Sequence, residues 1–273
     1  IAKLAEAIKK GDALTGWNLQ KVVLKDGHLE KANLSKANLS QAVLAGSHIF
    51  DSRFEGADLV GTDMTNCEMT HCSLEGADLT KARLAGARLW NADLEGANLT
   101  ECDLSGTDLW GAKLFNVKLW HTVFTGAKSI TSRSFSCDTG LFKSPAINET
   151  GLLSAEESYR DLKSYFMSNG MYNDASWASF KEKTMERILF KKKMDLTYIP
   201  SALMNILCGY GEKPYRIIIS ALSAIFIYAL VYSTLNAVES STAQGYILRW
   251  SDYLYYSAIT YTTVGYGDFI PKA

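Results

Sequence analysis

The chain has 273 residues, with 28 basic against 29 acidic side chains. That balance excludes a dedicated nucleic-acid binder with a strongly basic footprint, and the length leaves room for two or three units. Five cysteines without CxxC or Cys/His ligand spacing fit reduced thiols in a cytosolic compartment better than a disulfide frame.

The sequence opens on Ile1 without a signal peptide and stops at Ala273, so a fragment of a longer protein is expected. Within residues 1–12, Ile1, Leu4, Ala5 and Ile8 fall at helical spacing. An amphipathic helix there is expected to cap the first coil of the repeat that begins at residue 13, which would otherwise leave an unpaired β edge.

Residues 13–128 repeat every five positions. Leu14, Leu19, Leu24 and so on through Ile49, Phe54, Met64, Met69 and Leu119 to Phe124 give 23 apolar centres in unbroken register. Two residues before these centres stands a small side chain, as at Ala32, Ala37, Ser47, Ser52, Thr62, Cys67 and Cys72, with Val117 the bulky departure. A period of five fits neither an α-helix nor a two-residue strand alternation. Units such as Ala57-Asp58-Leu59 and Ala97-Asn98-Leu99 resemble the pentapeptide-repeat family. That resemblance implies a right-handed quadrilateral β-helix in which four units form a coil and both large and small residues point inward. At a coil spacing of about 4.8 Å, nearly six coils would make a rod roughly 27 Å tall.

Residues twenty apart should then stack. The columns Asp63-Arg83-Asp103, Arg88-Asp108 and Asp93-Lys113 alternate in charge, and Asp58 beneath Asp78 departs. Cys67, Cys72 and Cys102 read as substitutes for alanine in the small slots. His28 and His48 should stack as solvated histidines, a metal or pH role being the alternative. Trp90 and Trp110 should stack exposed on one face, either as packing or as a contact for another domain or subunit.

Residues 129–152, with Pro145, read as a linker. Residues 153–195 read as a helical hairpin, with Ser154 as N-cap, Glu157 completing a capping box, and Asn169-Gly170 as the break. The hairpin is expected to couple the rod to the apolar C-terminal third of the chain, since one hairpin is too few repeats for a peptide-binding groove. Residues 196–214 carry Leu203, Met204, Ile206 and Leu207, too short a run to span a bilayer and fitted to its surface. Gly209-Tyr210-Gly211-Glu212 is read as a turn.

Residues 215–238 read as a transmembrane helix, with 22 uncharged positions from Ile217 to Val238, or about 33 Å at 1.5 Å per residue. Lys191, Lys192, Lys193, Lys213 and Arg216 precede it, so the rod should be cytoplasmic and Glu239 external. An extracellular loop is expected over 239–250. A pore helix capped by Ser251 and Asp252, packed through Tyr253, Leu254, Tyr256 and Ile259, opens the segment 251–268.

That segment ends in Thr262-Thr263-Val264-Gly265-Tyr266-Gly267-Asp268, which resembles the selectivity filter of the two-transmembrane potassium channels. The resemblance, from about Trp250 to Pro271, implies a homotetramer in a lipid bilayer and a re-entrant pore loop. It also implies K⁺ as the permeant ion, bound through Thr263, Val264, Gly265 and Tyr266, with Gly267 completing the coordinating run and Asp268 at the outer mouth. Residues 269–273 would begin the connection to an inner helix, which the sequence does not contain. The expected location is the inner membrane of a prokaryotic cell.

The expected function is therefore a potassium-selective channel with a cytoplasmic repeat domain that regulates or assembles it, open to an unknown cytoplasmic ligand or protein. The alternative is a membrane-anchored interaction scaffold, whether an assembly platform or a DNA mimic. Residues 1–128 carry 16 acidic against 14 basic residues, little support for mimicry. No nucleophile–base pair, phosphate loop or metal-ligand cluster is readable, so neither enzymatic activity nor a cofactor is expected, nor a nucleic-acid partner.

Overall fold

The computed structural model describes Ala7 and residues 13–135, 149–241, 247–262 and 269–271. The expected N-terminal cap lies outside the described residues apart from Ala7, which is helical and buried. The chain divides into two compact units, Ile1–Tyr198 and Ile199–Ala273.

The first unit begins as a β-helix. Parallel single-residue bridges join positions twenty apart, from Asn18↔Asn38 to Asp108↔Lys128. The backbone donors of one unit account for the repeat sequence. Asp58 N donates to Ala37 O in one neighbouring coil, while Leu59 N and Gly61 N donate to Asp78 O and Thr80 O in the other. Thr62 N closes a turn onto Leu59 O at 3.1 Å. The fifth amide, Val60 N, donates to the Asp58 side chain at 3.1 Å, an Asx turn. The same turn recurs at Asn38, Asp63, Asp78, Asp93, Asn98, Asp103 and Asp108.

The turn also needs a positive φ two residues after each centre, as a type II turn requires. Gly61 takes it at 65°, but so do Lys81 at 59° and Glu101 at 57°. A Cβ in this region costs about 1–2 kcal/mol, so ladder and core overrule local preference at those units.

Inside, the centres and small slots form one continuous buried core. Polar small-slot residues are satisfied through a carbonyl 23 positions back, as Thr62 Oγ1 on Leu39 O and Thr107 Oγ1 on Leu84 O, both at 2.9 Å. Cys67 and Cys72 do the same with their thiols. Burial pushes both thiols up to about 12, and burial raises Cys102 as well. All three are neutral core side chains.

Two antiparallel helices come next, α1 (Glu149–Ser168) and α2 (Tyr172–Lys192). α1 starts five residues before the expected N-cap: Ser154 lies inside it, its hydroxyl donating to Thr150 O at 3.0 Å. Leu152, buried in that first stretch, and the Glu149–Lys193 ion pair at 3.1 Å hold the early turn. Across the hairpin, buried Glu182 accepts from Arg160 Nε at 3.0 Å, and Lys163 Nζ stands 3.6 Å from its other oxygen.

The hairpin closes the end of the β-helix. Leu162, Phe166, Ala175 and Ala178 belong to the same buried cluster as Leu119, Phe124, Ala127 and Ile130. Tyr165 OH donates to Ala127 O and Ser132 N to Asp174 Oδ1, at 2.9 and 2.8 Å. Trp120 Nε1 donates to Glu157. A 3-10 turn, Ser132–Phe135, carries Phe135 onto Trp177 at a centroid distance of 5.6 Å. The expected linker thus holds structured residues at both ends, and the last coil's edge is covered.

The second unit contains most of α3 (Tyr198–Cys208), then α4 (Pro214–Leu235), β1 (Val238–Ser240), α5 (Trp250–Tyr261) and β2 (Phe269–Pro271). α4 is long and apolar enough to cross a membrane from Tyr215 to Leu235, and most of its large apolar side chains are exposed. Pro at its first turn suits a helix start, where an N–H would lack a partner. Asn236 ends it in the left-handed conformation at φ 45°. Two ties bind α4's start to α3: Arg216 Nη1 donates to Asn205 O at 2.9 Å and Ser220 Oγ to Leu207 O at 3.2 Å.

Candidate functional site

The chemistry expected of this chain lies between α5 and β2. Thr263, Val264, Gly265, Tyr266, Gly267 and Asp268 fall outside the described residues; the elements on either side are described. α5 starts at Trp250 rather than Ser251, because Asp252 reaches back to the chain before the helix. Arg249 N donates to its carboxylate at 2.7 Å, and Asp252 N donates to Arg249 O at 3.0 Å. Of the two caps expected, Asp252 therefore caps the helix from its third position, while Ser251 lies inside it rather than at the N-cap. The other end closes on Thr262, whose amide and hydroxyl both donate to Ala258 O, at 3.0 and 2.9 Å. The final carbonyls of α5 carry the negative end of its dipole, which favours a cation nearby.

α5 lies against α4 through small and aromatic contacts. Ala229 is fully buried and lets the backbones approach. Ser257, also buried, donates its hydroxyl to Ile225 O at 2.7 Å. Tyr256 meets Tyr232 edge-on at 5.2 Å, and Phe226 meets Trp250 edge-on at 5.7 Å. Tyr253 OH donates to Asn236 Oδ1 at 3.4 Å. Beyond residue 268, β2 returns antiparallel onto β1, with Val238 opposite Pro271, Glu239 opposite Ile270 and Ser240 opposite Phe269. Sequence reasoning missed Ser257, Asn236 and the β1–β2 pair; the hydroxyl of Ser257 between the aromatic Tyr255-Tyr256 and the apolar Ala258-Ile259 was the one available signal.

On the β-helix, the expected columns stack twenty residues apart, but only some of their charges pair. Arg83 meets Asp63 at 3.4 Å and Lys113 meets Asp93 at 3.0 Å. Arg88 instead pairs with Glu68 at 2.7 Å, while Asp108 accepts from Ser129 and from the Trp110 amide. The like-charged step at Asp58 and Asp78 is eased by Asn98 Nδ2, which donates to Asp78 at 3.1 Å. His28 and His48 stack at 5.3 Å, their Nδ1 atoms bonded to Glu30 and Glu68. Trp90 and Trp110 are exposed but meet edge-to-face at 6.5 Å rather than stacking, with Arg88 over the Trp90 ring at 4.9 Å. Among the described residues, no group of three or more His, Cys, Asp and Glu side chains converges to hold a metal.

Comparison with known proteins assigns each unit a class. Residues 18–128 match pentapeptide repeats in overlapping stretches, and residues 219–273 match the ion-channel family. The chain therefore joins pentapeptide repeats to an ion-channel domain, both non-enzymatic kinds. Its structure is similar to that of QnrB1, a plasmid-mediated fluoroquinolone resistance protein, at 25% identity, a TM-score of 0.37, and coverage of 44% of this chain and 62% of that one. It is similar to the pentapeptide repeat protein Rfr23 from the cyanobacterium Cyanothece 51142, at 27% identity, a TM-score of 0.27, and coverage of 50% and 99%. It is similar also to the pentapeptide repeat protein alr5209 from Nostoc, at 28% identity, a TM-score of 0.26, and coverage of 47% and 95%. The chain spans about six tenths of the length of the first two solved proteins it matches, at 62% and 60%. No curated protein matches it.

Proposed function

We propose that this protein is a potassium-selective channel, working as a homotetramer in the inner membrane with its β-helix, right-handed and quadrilateral, in the cytoplasm. The carrying observation is the ion-channel match over residues 219–273, which takes in most of the exposed apolar α4, all of α5, and the Thr263–Asp268 sequence between α5 and β2. In this reading 263–268 form a re-entrant loop. Thr263, Val264, Gly265, Tyr266 and Gly267 present oxygens in place of the ion's water shell, and Asp268 concentrates cations at the outer mouth. Gly265 and Gly267 are suited to the job because a Cβ opposes the dihedrals that aim successive carbonyls inward.

Barium-sensitive K⁺ flux into liposomes carrying the full-length protein tests it, with Na⁺ as control and Gly265→Asp alongside. Flux for K⁺ but not Na⁺, lost in the variant, is the expected result. Tetramers that pass no K⁺ under any cytoplasmic condition would remove the reading.

A second reading makes the β-helix an assembly platform. The exposed Trp90–Trp110 pair favours it, since two large aromatic faces beside Arg88 are costly to leave in water. Replacing both with Ser should then dissolve higher assemblies while leaving single channels intact, as read by sedimentation and flux together.

A further inference from the structure

Residues 263–268 are bounded by two described ends, and both ends are tied to α4. At the near end, α5 is pinned by the Ser257 hydroxyl on Ile225 O and by Tyr253 on Asn236. At the far end, β2 pairs with β1, and β1 leaves α4 after only Asn236 and Ala237. Val238 is fully buried in a cluster with Ala229 and Tyr253, so β1 is fixed to the same helix pair that holds α5. A two-stranded ribbon alone is marginal in water; here that burial anchors it.

We infer that Ser257 and the β1–β2 ribbon are positioning elements of the conduction path, which hold Thr262 and Phe269 at a separation set by the end of α4. The inference rests on the channel reading. A carbonyl ring discriminates between ions by its size or by the number and field strength of its oxygens, and each depends on how far the segment's ends can move. Ser257 is suited to pinning because a buried hydroxyl in apolar surroundings is costly without its acceptor. The ribbon is suited because its pairing consumes backbone groups that would otherwise face water at the segment's exit.

The test uses the full-length protein in liposomes and reads the Na⁺/K⁺ permeability ratio beside total flux. Ser257→Ala should keep K⁺ flux and raise the ratio about tenfold, the factor that 1.4 kcal/mol gives. The double substitution Glu239→Cys with Ile270→Cys should form a disulfide, since directly opposed antiparallel residues lie at about the Cα separation a disulfide needs. Once oxidised it should conduct with the wild-type ratio. An unchanged ratio in Ser257→Ala, or a cross-link that abolishes K⁺ flux, overturns the inference. If Ser257→Ala fails to assemble, the cross-linked protein decides alone. Wild-type liposomes without K⁺ flux would remove the channel reading itself, and this inference with it.

Discussion

Phe166→Ala separates a capping hairpin from a mere spacer. Phe166 is fully buried and shares one core with Leu119, Phe124 and Ala127 of the last coils. Truncating a buried Phe costs about 3–5 kcal/mol, the lost transfer plus the cavity left behind. In a stack of coils that touch only their neighbours, that loss should stay near the damaged end. The amides that report it are Asp108, Lys113, Lys118, Val123 and Lys128, each donating to a carbonyl 21 residues back. Their hydrogen-exchange protection, measured by mass spectrometry on the detergent-solubilised chain, should fall by roughly a hundredfold or more. Protection at Asn38, Val43 and His48, in the first coils, should not change. Undiminished protection at the last coil would refute the capping role, and an equal loss along the whole β-helix would refute the nearest-neighbour reasoning.

Three single side chains give further expected outcomes. Ser52→Ala removes a hydroxyl that accepts from Ala32 N and donates to Leu29 O; about 1–2 kcal/mol of stability should be lost in chemical unfolding. Burial pushes the Glu55 carboxyl up, but hydrogen bonds from Ser35, its own backbone, Arg53 and Ser73 together hold it at about 2, against an ordinary 4.5. The folded value is lowered, so its contribution is present above pH 4.5 and is lost as pH falls through 2; Glu55→Gln should flatten the melting midpoint over that window. Burial, then the Glu157 charge, raises Asp161 from 3.8 against the opposing pull of His121 and Arg160. A raised folded value gives stability below 3.8 that is lost as pH rises through it, so Asp161→Asn should raise the midpoint at pH about 7 and not at about 3.

The β-helix was legible because a period of five survives in every unit and needs no long-range information. What its outward columns do was less so. Asp63, Asp93 and Asp103 read as rungs of a charge ladder, yet each accepts the amide two residues on. An exposed ion pair contributes little, whereas an unpartnered backbone donor is expensive, so the local bond decides the residue type. The start of α1 was hidden because Thr150 and Gly151 are weak helix formers, and packing of Leu152 outweighs them. At the channel end, the acceptor of Ser257 lies 32 residues away, and the ribbon joins two three-residue strands. Neither length carries a periodic signal. The hairpin was legible as two helices, but its role as a lid depends on contacts such as Tyr165 to Ala127 across 38 residues.

The ladder of bridges at a spacing of twenty sets an arithmetic on how this β-helix can change length. Inserting one five-residue unit leaves every leucine pointing inward and every Asx turn intact, so the core accepts it. All coils beyond the insertion nevertheless advance by one side, and each outward column is dealt a different partner. Arg88 would leave Glu68, Trp110 would leave Trp90, and the edge offered to the hairpin would turn by a quarter. Only additions of twenty residues preserve both the interior and the outer faces. Natural variants of this domain should therefore differ in length by whole coils wherever the hairpin is kept.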